Sequence, residues 1–268
     1  MSYLPESTRD WYLREVVVCS KESTRIEQAP QGSALWHMAR KYRMSGSRIG
    51  EILGHGFRKH SLASACQMFV WPQPISSPWI AWGSACEKHA QKITEEVMRK
   101  RFFDYDVTFE YPGGIVINGD EWFIASVDGL MFLRSHTSNL IEECILLEFK
   151  CPKVIHREIR PGYVDQVQAY MGFLRTHDPV KFGSIGRCIF GQWTPEKTSF
   201  QEFKFDQEYF ERIKSVSFNF YNNELVPRFI LAKHNYLPKM NSRLPKHNDA
   251  DTKQSGTFNV LVVSPIIH

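Results

Sequence analysis

Apolar positions along the chain recur with two different periods, and the changes between them mark its elements. From Ile80 to Lys100, the residues Trp82, Ala85, Cys86, Ala90, Ile93 and Val97 fall at roughly helical spacing, which predicts one long helix. The basic run Arg99, Lys100 and Arg101 suits the negative end of its dipole. A second stripe, Val164, Val167, Met171 and Leu174, predicts a helix over about 162–176. Between these helices the pattern alternates. Strands are expected at about 105–111, about 114–118, 121–133 and 140–150, with Asn118-Gly119-Asp120 as a tight turn between two of them. Strands near 184–193 and 198–205 and a helix near 206–222 follow. Upstream, a helix is expected to begin near Ser33, with Trp36, Met38 and Ala39 in its early turns. MSGSRIGEILGHG then reads as a loop entering a short helix capped by Ser or Gly. Three prolines make 71–78 irregular.

Helix, strand cluster, helix, two strands and helix describe one mixed α/β domain. Its expected extent is 1–232, with the informative motifs inside 34–225. Residues 233–268 are polar until FNVLVVSPII and read as a loop-rich C-terminal extension. Composition adds bounds rather than identity. With 268 residues, 43% hydrophobic and 23% charged, the chain can bury one large core. A formal charge of +4 permits a nucleic-acid partner without requiring one. Cysteines 19, 66, 86, 144, 151 and 188 form no CxxC and no paired Cys/His spacing, which disfavours a zinc or iron–sulfur site and fits reduced thiols. No basic region followed by an apolar stretch opens the chain, and no apolar run could span a bilayer. A soluble, intracellular protein is expected, without a signal peptide or a membrane partner.

Chemistry enters at ILLEFKCP, residues 145–152. In a strand, Glu148 and Lys150 share a face and Phe149 takes the other. Alone, the pair reads equally well as a strand salt bridge. Twenty residues earlier, Asp128 stands in the apolar run FIASVDGLMF, where a carboxylate needs a partner, although Asp128-Gly129 could also be a hairpin turn. Together the two sites suggest hard-oxygen ligands on adjacent strands, a set that suits Mg²⁺, with the Phe149 carbonyl as a further ligand and Lys150 placed to activate or stabilise an attacking water. Glu87, expected near the start of the long helix, either serves the helix dipole or reaches the same face. Gln166 and Gln168 lie about 200° apart on their helix, so only one can face the strands.

The four motifs AWGxxxE, SxDGL, LExKCP and YxxQVQxxM, in this order, resemble the lambda-exonuclease-like, YqaJ-type viral recombinase and alkaline nuclease group of the PD-(D/E)xK superfamily. The resemblance extends upstream to ALWHMARKYRMSGSRIGEILG and covers roughly 34–175. It implies a restriction-endonuclease-like core, a central mixed β-sheet flanked by helices. It also implies roles: Asp128, Glu148 and the Phe149 carbonyl on metal, with Glu87 completing the shell; Lys150 as the catalytic lysine; Gln166 or Gln168 as the glutamine of the QVQ motif. Arg40, Ser47 and Ser126 match the pocket for a 5′-phosphate, with Arg48 a second arginine candidate. Val127 stands where relatives often carry proline, which supplies no ligand. The long stretch between Asp128 and Glu148 reads as an extended hairpin that could touch DNA or another subunit.

By this resemblance the chain is a metal-dependent exonuclease degrading linear duplex DNA 5′→3′ from 5′-phosphorylated ends in viral or phage recombination. One or two Mg²⁺ ions, or Mn²⁺, would be its cofactor, and a single-strand annealing protein its companion. A monomer and a homo-oligomer such as a trimeric ring both stay open. So do an endonuclease or RNA-cleaving relative on the same core, and a non-catalytic DNA-binding module. A DNA track is expected along Arg40, Lys41, Arg43, Arg48, Arg58 and Lys59, then Lys153, Arg157 and Arg160.

Overall fold

The computed structural model describes residues 7–18, 31–56, 66, 69–70, 78–138 and 140–234. Arg58, Lys59, the proline-rich 71–77 and the tail beyond 234 lie outside them. Helices are α1 (Thr8–Tyr12, widening into a π turn, Leu13–Val18), α2 (Ala34–Arg40), α3 (Gly46–Ile52), α4 (Pro78–Arg101), α5 (Pro161–His177), α6 (Pro179–Phe182), α7 (Gln207–Phe220) and α8 (Val226–Lys233). Strands are β1 (Met44–Ser45), β2 (Tyr105–Glu110), β3 (Ile115–Ile117), β4 (Asp120–Ala125), β5 (Gly129–Ser135), β6 (Ile141–Lys150), β7 (Arg187–Trp193) and β8 (Thr198–Lys204). The principal sheet has the order β2-β5-β6-β7-β8, and a small one the order β1-β4-β3.

The expected strand 121–133 is two strands in two sheets. β4 pairs with β1 and β3, whereas β5 pairs with β2 and β6. A single strand would keep one pair of neighbours throughout. Here residues 126–128 leave one sheet and enter the other, so Asp128 sits at the junction rather than inside a strand. β5 and β6 form the long hairpin expected from the sequence, with Gly129 opposite Leu147. β6 then runs parallel to β7, and α5 makes the crossover between them. In sheets of this kind, ligands sit beyond the carboxyl ends of parallel strands. On β6 that end is Glu148 to Lys150.

Strand alternation distributes the core. Cys144 and Leu146 join the cluster beneath α5, with Phe123, Val167, Tyr170 and Phe173. Ile145, Leu147 and Phe149 join the cluster on the opposite face, with Ala90 and Met98 of α4. Glu148 and Lys150 therefore face α5, not α4. α4 begins at Pro78, two residues before the expected start, and buries Cys86, Ala90 and Met98. Trp82 and Val97, counted into the apolar stripe by their spacing, are exposed. The alternative that Glu87 serves a helix terminus fails, because it lies more than two turns inside α4.

α5 is buried without interruption from Asp165 to Leu174. Two of its polar groups are structural. Asp165 accepts from His55 Nδ1 at 2.8 Å and from the Tyr209 hydroxyl, tying α5 to α7 and to the loop after α3. Gln168 donates to the Lys204 carbonyl at 2.7 Å and accepts from the Asp206 amide at 3.0 Å, fixing the turn from β8 into α7. α3 crosses α5 closely because both carry glycine at the contact. A Cβ on Gly50 would lie 2.8 Å from the Gly162 Cα. Arg43, expected on a DNA track, is 7% exposed and donates to the carbonyls of Ala39, Val16 and Glu121, each at 2.8 Å. It clamps α2, the N-terminal turn and β4 together, and offers nothing to a phosphate.

Gly50→Ala forces α3 and α5 apart at a backbone contact that no rotamer can relieve. Overpacking of this kind costs about 1–3 kcal/mol. Chemical denaturation is expected to show that loss, whereas Gly83→Ala, whose Cβ would meet nothing within 4 Å, is expected to show none of this strain.

Candidate active site

At the carboxyl end of β6 the chain brings two carboxylates face to face. Asp128 Oδ2 accepts from the Phe149 amide at 2.7 Å, which holds the residue across the β5–β6 pair. Glu148 is wholly buried. Its Oε1 accepts from Gln166 Nε2 at 2.7 Å and from Lys150 Nζ. Its Oε2 is buried and receives no donor. Gln166 is therefore the glutamine that faces the strands, and Gln168 is the one that does not. Neither is solvated, since both are buried.

The electrostatics follow from this crowding. Burial, and then the charge of Asp128, push the Glu148 carboxyl up, against the pull of Lys150 and Gln166. Burial likewise raises Asp128, while Lys150 and the Phe149 amide draw it down. On Lys150 burial works to lower the ammonium, but the Glu148 and Asp128 charges prevail and keep it protonated. Its side chain remains 28% exposed, and Nζ stands 5.1 Å from the Tyr163 ring centroid. Glu87 is raised by burial and then by Asp128, and lowered by Lys150, so it belongs to the same field. Burial pushes the neighbouring Cys151 thiol up to about 12, which leaves it a poor nucleophile.

A divalent cation suits this oxygen set. Asp128 and Glu148 offer adjacent hard oxygens, and the buried Glu148 Oε2 is an acceptor with no hydrogen-bond donor. Among the described residues no three His, Cys, Asp or Glu side chains converge into a ready cage. Mg²⁺ commonly keeps several waters and takes only one or two carboxylates, so a pair is sufficient. Glu87 does not close with the other two into a three-carboxylate cage.

A second cluster lies across Tyr170. Arg40 Nη2 donates to Ser45 Oγ at 3.0 Å, and Ser45 Oγ lies 3.2 Å from Ser47 Oγ. The guanidinium sits 4.4 Å over the Trp36 ring, whose Nε1 donates to Ser126 Oγ at 2.9 Å. Burial, and then Arg48, lower the Arg40 guanidinium, against the influence of Tyr170 between them in importance. Arg48 is thus a neighbour of Arg40, and its own guanidinium lies 5.8 Å from the Phe69 ring centroid. The four residues expected to hold an anion are therefore gathered, and Ser45 joins them. Ser45 ends β1 and Ser47 lies in the first turn of α3, two residues apart in the same MSGS run, so the sequence carried its signal. Gly46, between the two serines, admits no side chain because a Cβ would overlap the Tyr170 ring. Tyr170 also feels the charges of Glu148, Arg40 and Asp128, which places it between the two clusters. Of the remaining basic positions, Lys153, Arg157 and Arg160 are exposed on the loop from β6 to α5.

The model of the YqaJ-like viral recombinase domain matches residues 35–174, a little over half of the chain. The chain belongs to that family. Its YqaJ-like region spans both clusters, from Trp36 to Tyr170. Two solved structures of LHK-Exo are similar in fold. The complex of LHK-Exo with dAMP has a TM-score of 0.53 at 19% identity, covering 77% of this chain and 100% of that one. The alkaline exonuclease LHK-Exo from Laribacter hongkongensis gives 0.53 at 17% identity, covering 76% and 98%. These likenesses establish the nuclease fold of the YqaJ-like chain, a mixed sheet flanked by helices. A comparison with curated protein sequences finds no match. Among the described residues, no helix is long and apolar enough to cross a membrane.

The opposed carboxylates give the metal-free YqaJ-like protein a definite pH response. A carboxyl raised in the folded state binds its proton more readily there than in the unfolded chain. It therefore costs stability as pH climbs from the ordinary carboxylate range toward its folded-state titration. Asp128→Asn keeps an acceptor for the Phe149 amide and removes one charge. The melting temperature of metal-free Asp128→Asn at about pH 8 is expected to exceed wild type by a few degrees, about 1 kcal/mol corresponding to about 2–4 °C in a chain this size. Thermal scans between about pH 5 and about pH 8 are expected to show a smaller decline for the variant. An equal or lower melting temperature would contradict the repulsion.

Proposed function

We propose that the chain is a divalent-metal-dependent exonuclease that digests linear duplex DNA from 5′-phosphorylated ends, in the 5′→3′ direction. The observation that carries this reading is the placement of an incompletely neutralised acidic pair, Glu148 buried and Asp128 half-buried, beside a protonated lysine, with an arginine–serine cluster on the far side of Tyr170. The first arrangement suits a phosphodiester under attack. The second suits a terminal phosphate, since guanidinium and hydroxyl donors together match its oxygens. LHK-Exo, which binds dAMP in its crystal structure, supports release of mononucleotides.

In this reading Asp128, Glu148 and the Phe149 carbonyl would hold the cation, and Glu87, which feels the charges of Asp128 and Lys150, would orient a water in its shell. Bound there, Mg²⁺ or Mn²⁺ would supply Lewis-acid stabilisation of the phosphate oxygens. Lys150, kept charged by its carboxylate neighbours, stabilises charge developing on the phosphoryl group. Gln166 holds Glu148 Oε1 from the α5 side, which leaves Oε2 directed to the cation. Arg40, Ser45, Ser47 and Ser126 take the 5′-phosphate, with Arg48 adding to the local positive charge. Distance between that anchor and the acidic pair sets the length of the piece removed. The strand left single by digestion is the natural substrate of an annealing protein, which fits a place in recombination.

Three substrates test this: a linear duplex with a 5′-phosphate, the same duplex with a 5′-hydroxyl, and a covalently closed circle. Wild type with Mg²⁺ is expected to cut the first fastest and leave the circle intact. Nicking of the circle would identify an endonuclease on the same core. Lys150→Ala is expected to lower the rate by about 100-fold or more. Arg40→Ala is expected to slow the phosphorylated end by about 10- to 100-fold and abolish its advantage over the hydroxyl end. Equal nucleotide release by wild type and Lys150→Ala would remove the assignment of the site.

A further inference from the structure

Lys150 also lines a cavity of about 430 Å³ that includes none of the arginine–serine cluster and is within the range of small-molecule sites. Trp82, Lys150, Lys153, Arg160 and Tyr163 line it, and Glu158 is the single acid among its lining residues. Its wall is fixed in advance. The Gln192 amide donates to the His156 carbonyl at 2.7 Å and accepts from the His156 amide at 3.0 Å, so the loop from β6 to α5 is pinned to β7. Trp82 is 36% exposed, a large aromatic surface left open beside the cavity. Neither the metal-binding role nor the 5′-phosphate role uses it.

We propose that this cavity seats the nucleoside on the 3′ side of the cleaved bond, the second nucleotide of the strand, by stacking of its base on Trp82. The inference rests on the exonuclease reading and adds a subsite to it. Its basis is the order of residues along α5. Tyr163, Gln166 and Tyr170 fall at i, i+3 and i+7 and so share one helix face, spanning about 10 Å. Tyr163 borders the cavity, Gln166 holds Glu148, and Tyr170 adjoins the Arg40 cluster. A strand anchored by its 5′-phosphate at Arg40, with the next phosphate at the acidic pair, must continue toward Tyr163.

Flat aromatic surface next to cations is what an unpaired nucleotide requires, because every base has a π face and every linkage a negative charge. Hydrolysis then has a defined outcome. The water oxygen bonds to phosphorus, the bond to the 3′ oxygen of the first nucleotide breaks, and that oxygen leaves with a proton. The phosphate stays on the second nucleotide, in the cavity, as the new 5′-phosphate. Advance by one nucleotide carries it to Arg40.

The test uses 5′-phosphorylated duplexes with an abasic residue at the second or at the sixth nucleotide, measuring release of the first nucleotide in a single turnover. Wild type is expected to slow by about 5- to 100-fold on the former and little on the latter. Trp82→Ala is expected to be slow on the intact duplex and indifferent to the second-position abasic residue. Trp82→Phe is expected to recover most of the sensitivity, which a merely structural role of Trp82 would not produce. In EDTA, the affinities for the same duplexes should follow the same pattern. If wild type releases the first nucleotide equally fast from the intact and second-position abasic duplexes, the subsite is refuted and the exonuclease reading stands. If wild type cuts no linear duplex, both fall together.

Discussion

The structure is organised around two negative charges held where water cannot fully screen them. Glu148 is wholly buried and Asp128 half-buried at the end of the central hairpin, and burial raises both carboxyls. Such a pair is unfavourable without positive charge or donors. Each surrounding contact supplies one: the Phe149 amide on Asp128, and Lys150 and Gln166 on Glu148. One oxygen, Glu148 Oε2, receives none. Stability is thus withheld at the point where a cation and a phosphate would restore it, a compromise frequent at functional sites.

Holding these charges in place requires rigidity on both faces of β6. α4 covers one face with Ala90 and Met98, and α5 covers the other with a segment buried on all sides. Three polar groups inside the second layer tie elements together: Asp165 to His55 and Tyr209, Gln168 to Lys204 and Asp206, Arg43 to three carbonyls. These contacts fix α3 and α5 relative to the sheet. The serines at the junction of β1 and α3 and the glutamine of α5 are thereby brought to either side of Tyr170 from distant parts of the chain.

Regular elements were readable because periodicity reports burial directly. The long helix, the crossover helix and the β5–β6 hairpin are where their apolar spacing puts them. Glu148 and Lys150 shared a face by strand geometry alone, and that face proved to be the one beneath α5. Misreadings came where local pattern and tertiary partner diverge. FIASVDGLMF is apolar on both sides of Ser126 and Asp128, and its Asp128-Gly129 pair reads equally as a turn, so the exchange of sheets at residues 126–128 is not marked as such. Trp82 has helical spacing with the core residues of α4 yet is exposed, because it borders a cavity rather than packed side chains. Arg43 has the same chemistry as Arg40, and only the carbonyls around it make it structural.

Sequence by itself determined the long helices, most of the strands and the chemical inventory, since periodicity and residue type are properties of the chain alone. It also restricted Gln166 and Gln168 to opposite helix faces, because the helical repeat forbids anything else. Tertiary structure decided which glutamine meets Glu148, which arginine meets the serines, and that Asp128 stands at a junction between sheets. Those outcomes depend on which surfaces pack together. Packing is set by the sum of many weak contacts across the molecule, and no short stretch of sequence contains that sum.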